Sequence, residues 1–255
     1  MSASDSQFSL NLNLVEKTYR SGTVALAPTT LKIQHGEFVS LVGPSGCGKS
    51  TLLRLMSGLI TPTSGHIDHQ HHDQKRDVGF VFQEATLMPW ATVYENVSLP
   101  LRLQGWARGD HDRIETVLAW VGLEEFHQTY PRELSGGMKM RVSIARALIT
   151  EPNLLLLDEP FAALDEFTRA QLNEDLLRLW EDQKWTVVFV THSIREAAFL
   201  SERVIVMSPR PGRVVADVAV PFAYPRNAEL RDQHNFTDFS ASVSNYLRHA
   251  MAAQI

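Results

Sequence analysis

The stretch "GPSGCGKST", residues 43–51, decides the fold. It fits the pattern G-x-x-x-x-G-K-[ST], with Gly43, Gly48, Lys49 and Ser50 in place. "LKIQHGEFVSLV" before it reads as strands, and "KSTLLRLMSGL" after it has apolar residues at helical spacing. Strand, glycine-rich loop and helix in that order make a phosphate-binding loop. Gly43, Pro44, Ser45, Gly46, Cys47, Gly48 and Thr51 complete a backbone cradle whose N–H groups converge on phosphate oxygens. Lys49 would neutralise the β and γ phosphates, and Ser50 would ligate Mg²⁺.

The segments around this loop alternate in type. Phe8 to about Lys17 shows the two-residue period of a strand. "HIDHQHHDQKRD" reads as a turn-rich excursion, followed by a strand from Val78 to Phe82. A helical stretch from about Val93 through Trp120 is broken around "GWARGD". "MRVSIARALI" is helical, "NLLLLDEP" an apolar strand ending in acids, and "DEFTRAQLNEDLLRLWEDQ" an amphipathic helix. "TVVFVTH" is a buried strand, "REAAFL" a short helix, and "RVIVMS" another strand. "PRPGRVVADVAVPF" reads as a turn and edge hairpin, and 227–253 as short helices with a polar break. Strands alternating with helices predict an α/β fold, a parallel sheet covered on both faces.

Composition sets outer bounds. A net charge of −5 over 255 residues argues against a general nucleic-acid binder, and 44% hydrophobic residues is ordinary for a globular chain. A single cysteine, Cys47, excludes an internal disulfide. No apolar run approaches the ~20 residues that span a bilayer. The N-terminus has no basic region followed by an apolar core, so no secretory signal is expected and the chain reads as cytosolic, free to dock on a membrane partner.

Several polar residues fall at strand ends, where ligands bind in open α/β sheets. Asp158 and Glu159 close "LLLLDE": Asp158 suits the Mg²⁺ shell, and Glu159 is then left to orient or deprotonate an attacking water. His192 ends "VVFVTH" and can hydrogen-bond a γ-phosphate and that water; Gln83 ends "VGFVFQ" and can touch metal or water through its amide. A second glycine-bearing helix start, "LSGGMKMR" at 134–141, also suits a phosphate, which raises the question of why one chain carries two cradles.

In order, "GPSGCGKST", Gln83, "LSGGMKMR", "LLLLDEP", "ALD" at 163–165 and His192 resemble the ATP-binding subunit of ABC transporters, over residues 8 to about 220. "QEATLMPWATVYENVSLPL" and "MSPRPGRV" look like the nitrate/sulfonate/taurine-type importer branch. The resemblance implies a P-loop NTPase (RecA-like) core with a mostly parallel sheet, an antiparallel β subdomain and a helical subdomain inserted at about 88–150. A polar tail (1–7) precedes the 8–220 domain, and a C-terminal helical extension (221–255) follows it. The family pattern also answers the question of the two cradles. Two copies pack head to tail, and each ATP lies between the phosphate loop of one and the signature sequence of the other. Ser135, Gly136 and Gly137 would then grip the partner copy's γ-phosphate, Tyr19 would stack on adenine, and Asp165 would couple the two sites. ATP and Mg²⁺ are the implied ligands. An integral membrane permease and, indirectly, a periplasmic solute-binding protein are the implied partners, with the chain peripheral on the cytoplasmic face of the cell membrane and no nucleic acid involved.

Many family members carry Gln where this chain has Met138, so a ribose contact is absent while the backbone and serine grip is unaffected. Met140 is expected in the core. His66, His69, His71 and His72 read as surface histidines instead of a metal site, and Trp106 as a helix-end aromatic. Met88, Pro89 and Trp90 are candidates to line a groove for a membrane partner, the alternative being that they pack the root of the helical subdomain. Cys47, beside a helix N-terminus and Lys49, is expected to be a reactive thiol. Two other classes are weighed. A DNA-repair ABC ATPase carries a long coiled coil between the glutamine and the signature, but only residues 84–133 intervene here, with no heptads; translation-type members carry two such domains. A P-loop kinase would not need the signature.

Overall fold

Short apolar runs bounded by Gly, Pro, Asn or Asp become buried strands, and longer amphipathic ones become helices. This is what the computed structural model shows for the residues it describes, 8–69, 78–105 and 111–252. The elements are β1 (Phe8–Thr18), β2 (Val24–Gln34), β3 (Phe38–Val42), α1 (Lys49–Met56), β4 (Ser64–His69) and β5 (Val78–Val81). Then come α2 (Val93–Leu103), α3 (His111–Trp120), α4 (Gly136–Leu148), β6 (Leu154–Asp158), α5 (Glu166–Gln183) and β7 (Thr186–Thr191). The chain closes with α6 (Ile194–Leu200), β8 (Arg203–Met207), β9 (Val214–Ala219) and α7 (His234–Ala252). Two compact units result, one from Met1–Lys75 with Lys184–Ile255, the other from Arg76–Gln183.

In the first unit β3 lies between β7 and β8 and runs parallel to both, while β9 pairs antiparallel with β8. Every residue of β3 and β7 is buried, as a parallel strand covered on both faces must be. α6 and α7 close one face, with Ala197 and Val243 packed on Val42, Val204 and Val206. β1, β2 and β4 form a separate antiparallel sheet in the order β2–β1–β4. There Leu10 and Leu12 are fully buried, and the alternation continues along β2.

Among its described residues the second unit holds one parallel pair, β5 with β6, and the α-helices α2 to α5. α4 is its axis. Arg141 donates to the Val121 carbonyl at 2.7 Å and to Asp175 of α5 at 2.5 Å. Met140 is buried, as expected.

Two details depart from the sequence reading, the place of the described histidines and the shape of the C-terminal region. His66 and His69 sit on strand β4 instead of in a turn, and among the described residues no group of three His, Cys, Asp or Glu side chains could hold a metal. His71, His72, Trp106 and the 1–7 tail lie outside the described residues. The C-terminal region is one 19-residue helix, α7, after a 3₁₀ turn at Ala228–Asp232, because Phe236, Ser240 and Val243 recur on one buried face.

The segment leading into α7 is fastened by one arginine. Arg226, 8% exposed, donates to the carbonyls of Ala198, Phe199 and Ser201 (2.9–3.2 Å) and of Phe222 (2.7 Å), and stacks 3.9 Å over Tyr224. The Tyr224 hydroxyl donates to Leu200 O at 2.9 Å. The last carbonyls of α6, which have no intrahelical donor, are thereby paired. Arg226→Ala leaves them buried and unpaired and is expected to destabilise the chain by about 2–4 kcal/mol in urea unfolding, against about 0.5 kcal/mol or less for the exposed Arg248→Ala.

Candidate functional site

β3 ends at Val42 and α1 begins at Lys49, so residues 43–48 turn sharply between them. Two of the glycines are sterically required. A Cβ on Gly43 would lie 2.8 Å from Cys47 Sγ and 3.0 Å from Met207 O. Gly48 has φ +110°, and its Cβ would lie 2.7 Å from Ala25 O. Lys49 is 4% exposed, and its ammonium donates to Gly43 O at 2.8 Å and Pro44 O at 3.2 Å, inside the curl of the loop. No acidic residue occupies the first turn of α1, and no side chain caps it. A helix start of this kind suits an anion.

Tyr19 and His192 lie in the same unit. The Tyr19 hydroxyl is 3.3 Å from Thr51 Oγ1, and its ring is 36% exposed. The β3–β7 register pairs Val42 with Thr191, so Gly43 and the exposed His192 are the next residues out along neighbouring strands. Cys47 departs from expectation: at 1% exposure it is buried within the loop, packed toward Gly43, and is not an accessible thiol. Reagents reach it only if the loop opens.

In the second unit the β5–β6 register pairs Val81 with Leu157, which carries Gln83 and Glu159 to matching positions beyond the two strand ends. Asp158 closes β6 and is 7% exposed, Glu159 is half-buried, and Gln83 is exposed. Glu159 has φ +47°, a left-handed conformation that disfavours a side chain other than Gly, Asn or Asp. Such strain, of order 1 kcal/mol or more, gathers where a side chain must be aimed.

Ser135, Gly136, Gly137 and Asp165 form a second group in this unit. Ser135 is the N-cap of α4, its Oγ accepting from Met138 N–H at 3.2 Å, so position 138 contributes through its backbone. A Cβ on Gly137 would lie 2.7 Å from Thr168 Cγ2 of α5, which is why the helices start in close contact. Asp165 accepts from Thr168 N–H at 2.9 Å and Thr168 Oγ1 at 2.7 Å, capping α5; these bonds hold its carboxyl below the usual carboxylate range. As at α1 and α7, the first turn of α4 holds no acid, whereas α2, α3, α5 and α6 carry Glu95, Asp112, Glu166 and Glu196 there; of the three, α1 and α4 have glycine at the start.

The loop after Gln83 depends on two residues that the sequence reading missed. Asn96, fully buried, accepts from Met88 N–H at 2.8 Å and donates to Met88 O, Ala91 O and Thr92 O. Arg146 of α4 donates to Ala85 O at 2.9 Å and Thr86 O at 3.0 Å. An asparagine on the buried face beside Val93 and Val97 was the available signal for the first; nothing local marked the second. The loop they build holds Trp90 out with 76% of its surface exposed, beside exposed Pro89 and half-buried Met88. Trp90 is thus no part of the subdomain's packed root.

Residues 26–162 match the ABC transporter family. The chain is 43% identical over 224 residues to an aliphatic sulfonates import ATP-binding protein of Bacillus cereus, covering 86% of this chain and 88% of that one. It is 42% identical over 248 residues to a nitrate import ATP-binding protein of Synechocystis, covering 93% of each. A solved dimeric ATP-binding cassette in a post-hydrolysis state, bound to ADP and Pi, superposes with a TM-score of 0.73 at 37% identity, over 84% of this chain and 100% of that one. A phosphate loop on a parallel sheet, acids at a strand end and a serine-capped glycine pair opening α4 are thus joined to relatives alike along most of their length, and the chain belongs to the ATP-binding proteins of ABC transporters.

Proposed function

We propose that this chain is the ATPase subunit of an importer for a small oxyanion, of the sulfonate or nitrate kind named for its relatives. It would work as a head-to-tail pair on the cytoplasmic side of a membrane permease that receives solute from a periplasmic binding protein. Among the described residues no helix is long and apolar enough to cross a membrane, so membrane attachment falls to a partner. The observation that carries the reading is that two helix starts combine glycine with the absence of an acid, α1 behind the 43–48 loop and α4 with Ser135 as cap and Gly136 and Gly137 as its first residues. Each suits a phosphate, and sharing each nucleotide between two copies uses both.

The chemistry follows from the residue types. Lys49 and the N–H groups of 43–51 hold the phosphates, Tyr19 offers a ring face to the base, and Ser135, Gly136 and Gly137 of the second copy would close on the γ-phosphate. The hydroxyl of Ser50, the amide oxygen of Gln83 and the carboxylate of Asp158 are the hard oxygen donors Mg²⁺ prefers, so the residues fit that ion. When bound it neutralises phosphate charge. Glu159 takes the proton of the attacking water as its oxygen bonds to the γ-phosphorus and the bond to the bridging oxygen of ADP breaks. His192 hydrogen-bonds the γ-phosphate and holds that water, and Asp165 acts across the pair through the start of α5.

Glu159→Gln keeps the shape and removes the base, so hydrolysis is expected to fall roughly 10²-fold or more with ATP binding retained. The closed pair then accumulates with ATP and Mg²⁺ in size-exclusion chromatography; elution as monomer alone would contradict the shared site.

The exposed Met88–Trp90 loop is proposed as the seat of the permease. Because Trp90 is mostly exposed, Trp90→Ala is expected to leave the melting temperature and basal ATPase of the isolated subunit unchanged while abolishing assembly with the permease and uptake. A marked fall in melting temperature with normal assembly would reverse that assignment.

A further inference from the structure

"MSPRPGRV", residues 207–214, has no part in the chemistry above, yet it is built onto the phosphate loop. It forms the turn between β8 and β9. Ser208, 4% exposed, braces the turn: its hydroxyl lies 3.0 Å from Pro209 O and 3.3 Å from Pro211 O and accepts from Arg213 N–H at 3.2 Å. Gly212 N–H donates to Ala25 O at 3.1 Å, and Gly212 O accepts from Ala27 N–H at 2.8 Å, fastening the turn to β2. A Cβ on Gly212 would lie 2.0 Å from Cys47 O, so turn and loop meet backbone against backbone. Arg210 then reaches across, Nε at 3.2 Å and Nη2 at 3.1 Å from the carbonyl oxygen of Gly46.

That carbonyl belongs to the Gly46–Cys47 peptide. In a trans peptide the C=O and the following N–H point in opposite directions, so holding one aims the other. Here Cys47 N–H points inward and donates to Pro44 O at 3.2 Å, an oxygen that also accepts from the Lys49 ammonium at 3.2 Å. Gly46, at φ +72°, is free to adopt other backbone angles, and its peptide is the kind that turns over unless tethered. A charged double donor on its carbonyl is a strong tether.

We infer that Arg210 is a positioning residue for the phosphates of a nucleoside triphosphate: it fixes the Gly46 carbonyl outward, which keeps Cys47 N–H turned into the curl of the loop beside the Lys49 ammonium, the side on which phosphate would be held. The inference rests on the reading of residues 43–51 as the nucleotide loop, and it gives the 207–214 turn a task at that site.

The test uses the purified full chain, titrated with a fluorescent mant-ATP and melted without nucleotide. Arg210→Ala is expected to weaken mant-ATP binding about tenfold. The KM for ATP rises in step while kcat is largely kept, since the tether serves ground and transition states alike. Arg210→Lys, which retains the charge and a donor, recovers part of the affinity, and Arg213→Ala on the same turn behaves as wild type. Arg210→Ala binding within twofold of wild type overturns the inference, as does a lowered melting temperature with unchanged affinity. If Arg210→Ala does not fold, Arg210→Lys decides: weakened binding at an unchanged melting temperature supports the inference, and wild-type affinity overturns it. Wild-type protein that fails to bind mant-ATP would instead sink the reading of the loop itself.

Discussion

The first turn of an α-helix carries N–H groups that its own backbone cannot pair, and much of this molecule follows from how that deficit is met. In α2 and α6 a hydroxyl cap and an acid meet it internally, Thr92 with Glu95 and Ser193 with Glu196. In α1 neither is present, and in α4 only the serine is. Of the helices without an acid in the first turn, α1, α4 and α7, the first two have glycine at the start, Gly48 before α1 and Gly136 and Gly137 opening α4, where backbone can approach a ligand closely. A terminus of this kind favours an anion, which ties local helix chemistry to the binding of a phosphate.

Parallel strands turn that local property into a site. Because β3 and β7 run the same way in matched register, whatever follows Val42 and Thr191 emerges at one edge, and the same holds for β5 and β6 beyond Val81 and Leu157. The polar residues at these exits, His192 in the first unit and Gln83, Asp158 and Glu159 in the second, need no special loops to be presented at their strand ends. The fully buried strands supply the rigidity, so errors of position at the edge are small.

Much of this was legible in the sequence because it is local. Runs such as "LLLL" and "VVFV" could only be buried strands, and the spacing of Gly43, Gly48, Lys49 and Ser50 is readable in a single window. What escaped was long-range. Arg146 meets residues 60 and 61 positions away, and Arg210 meets Gly46 across 164 positions, so no window contains both ends of either bond. Asn96 was hidden for another reason, since a polar residue on an apolar face can be judged only when its partners are known. The burial of Cys47 likewise depends on Met207 and Gly212, which close over the loop from the far end of the chain.

The backbone at Glu159 has a consequence for selection. At φ +47° a glutamate is conformationally worse than a glycine or an asparagine, so a search guided by thermal stability alone is drawn toward replacing it. The proposed hydrolysis depends on the residue that such a search would discard. A glutamate kept at this torsion for its chemistry is a trade in which folding yields to function, and a variant that holds ATP without splitting it has a ready route to greater stability through this one position.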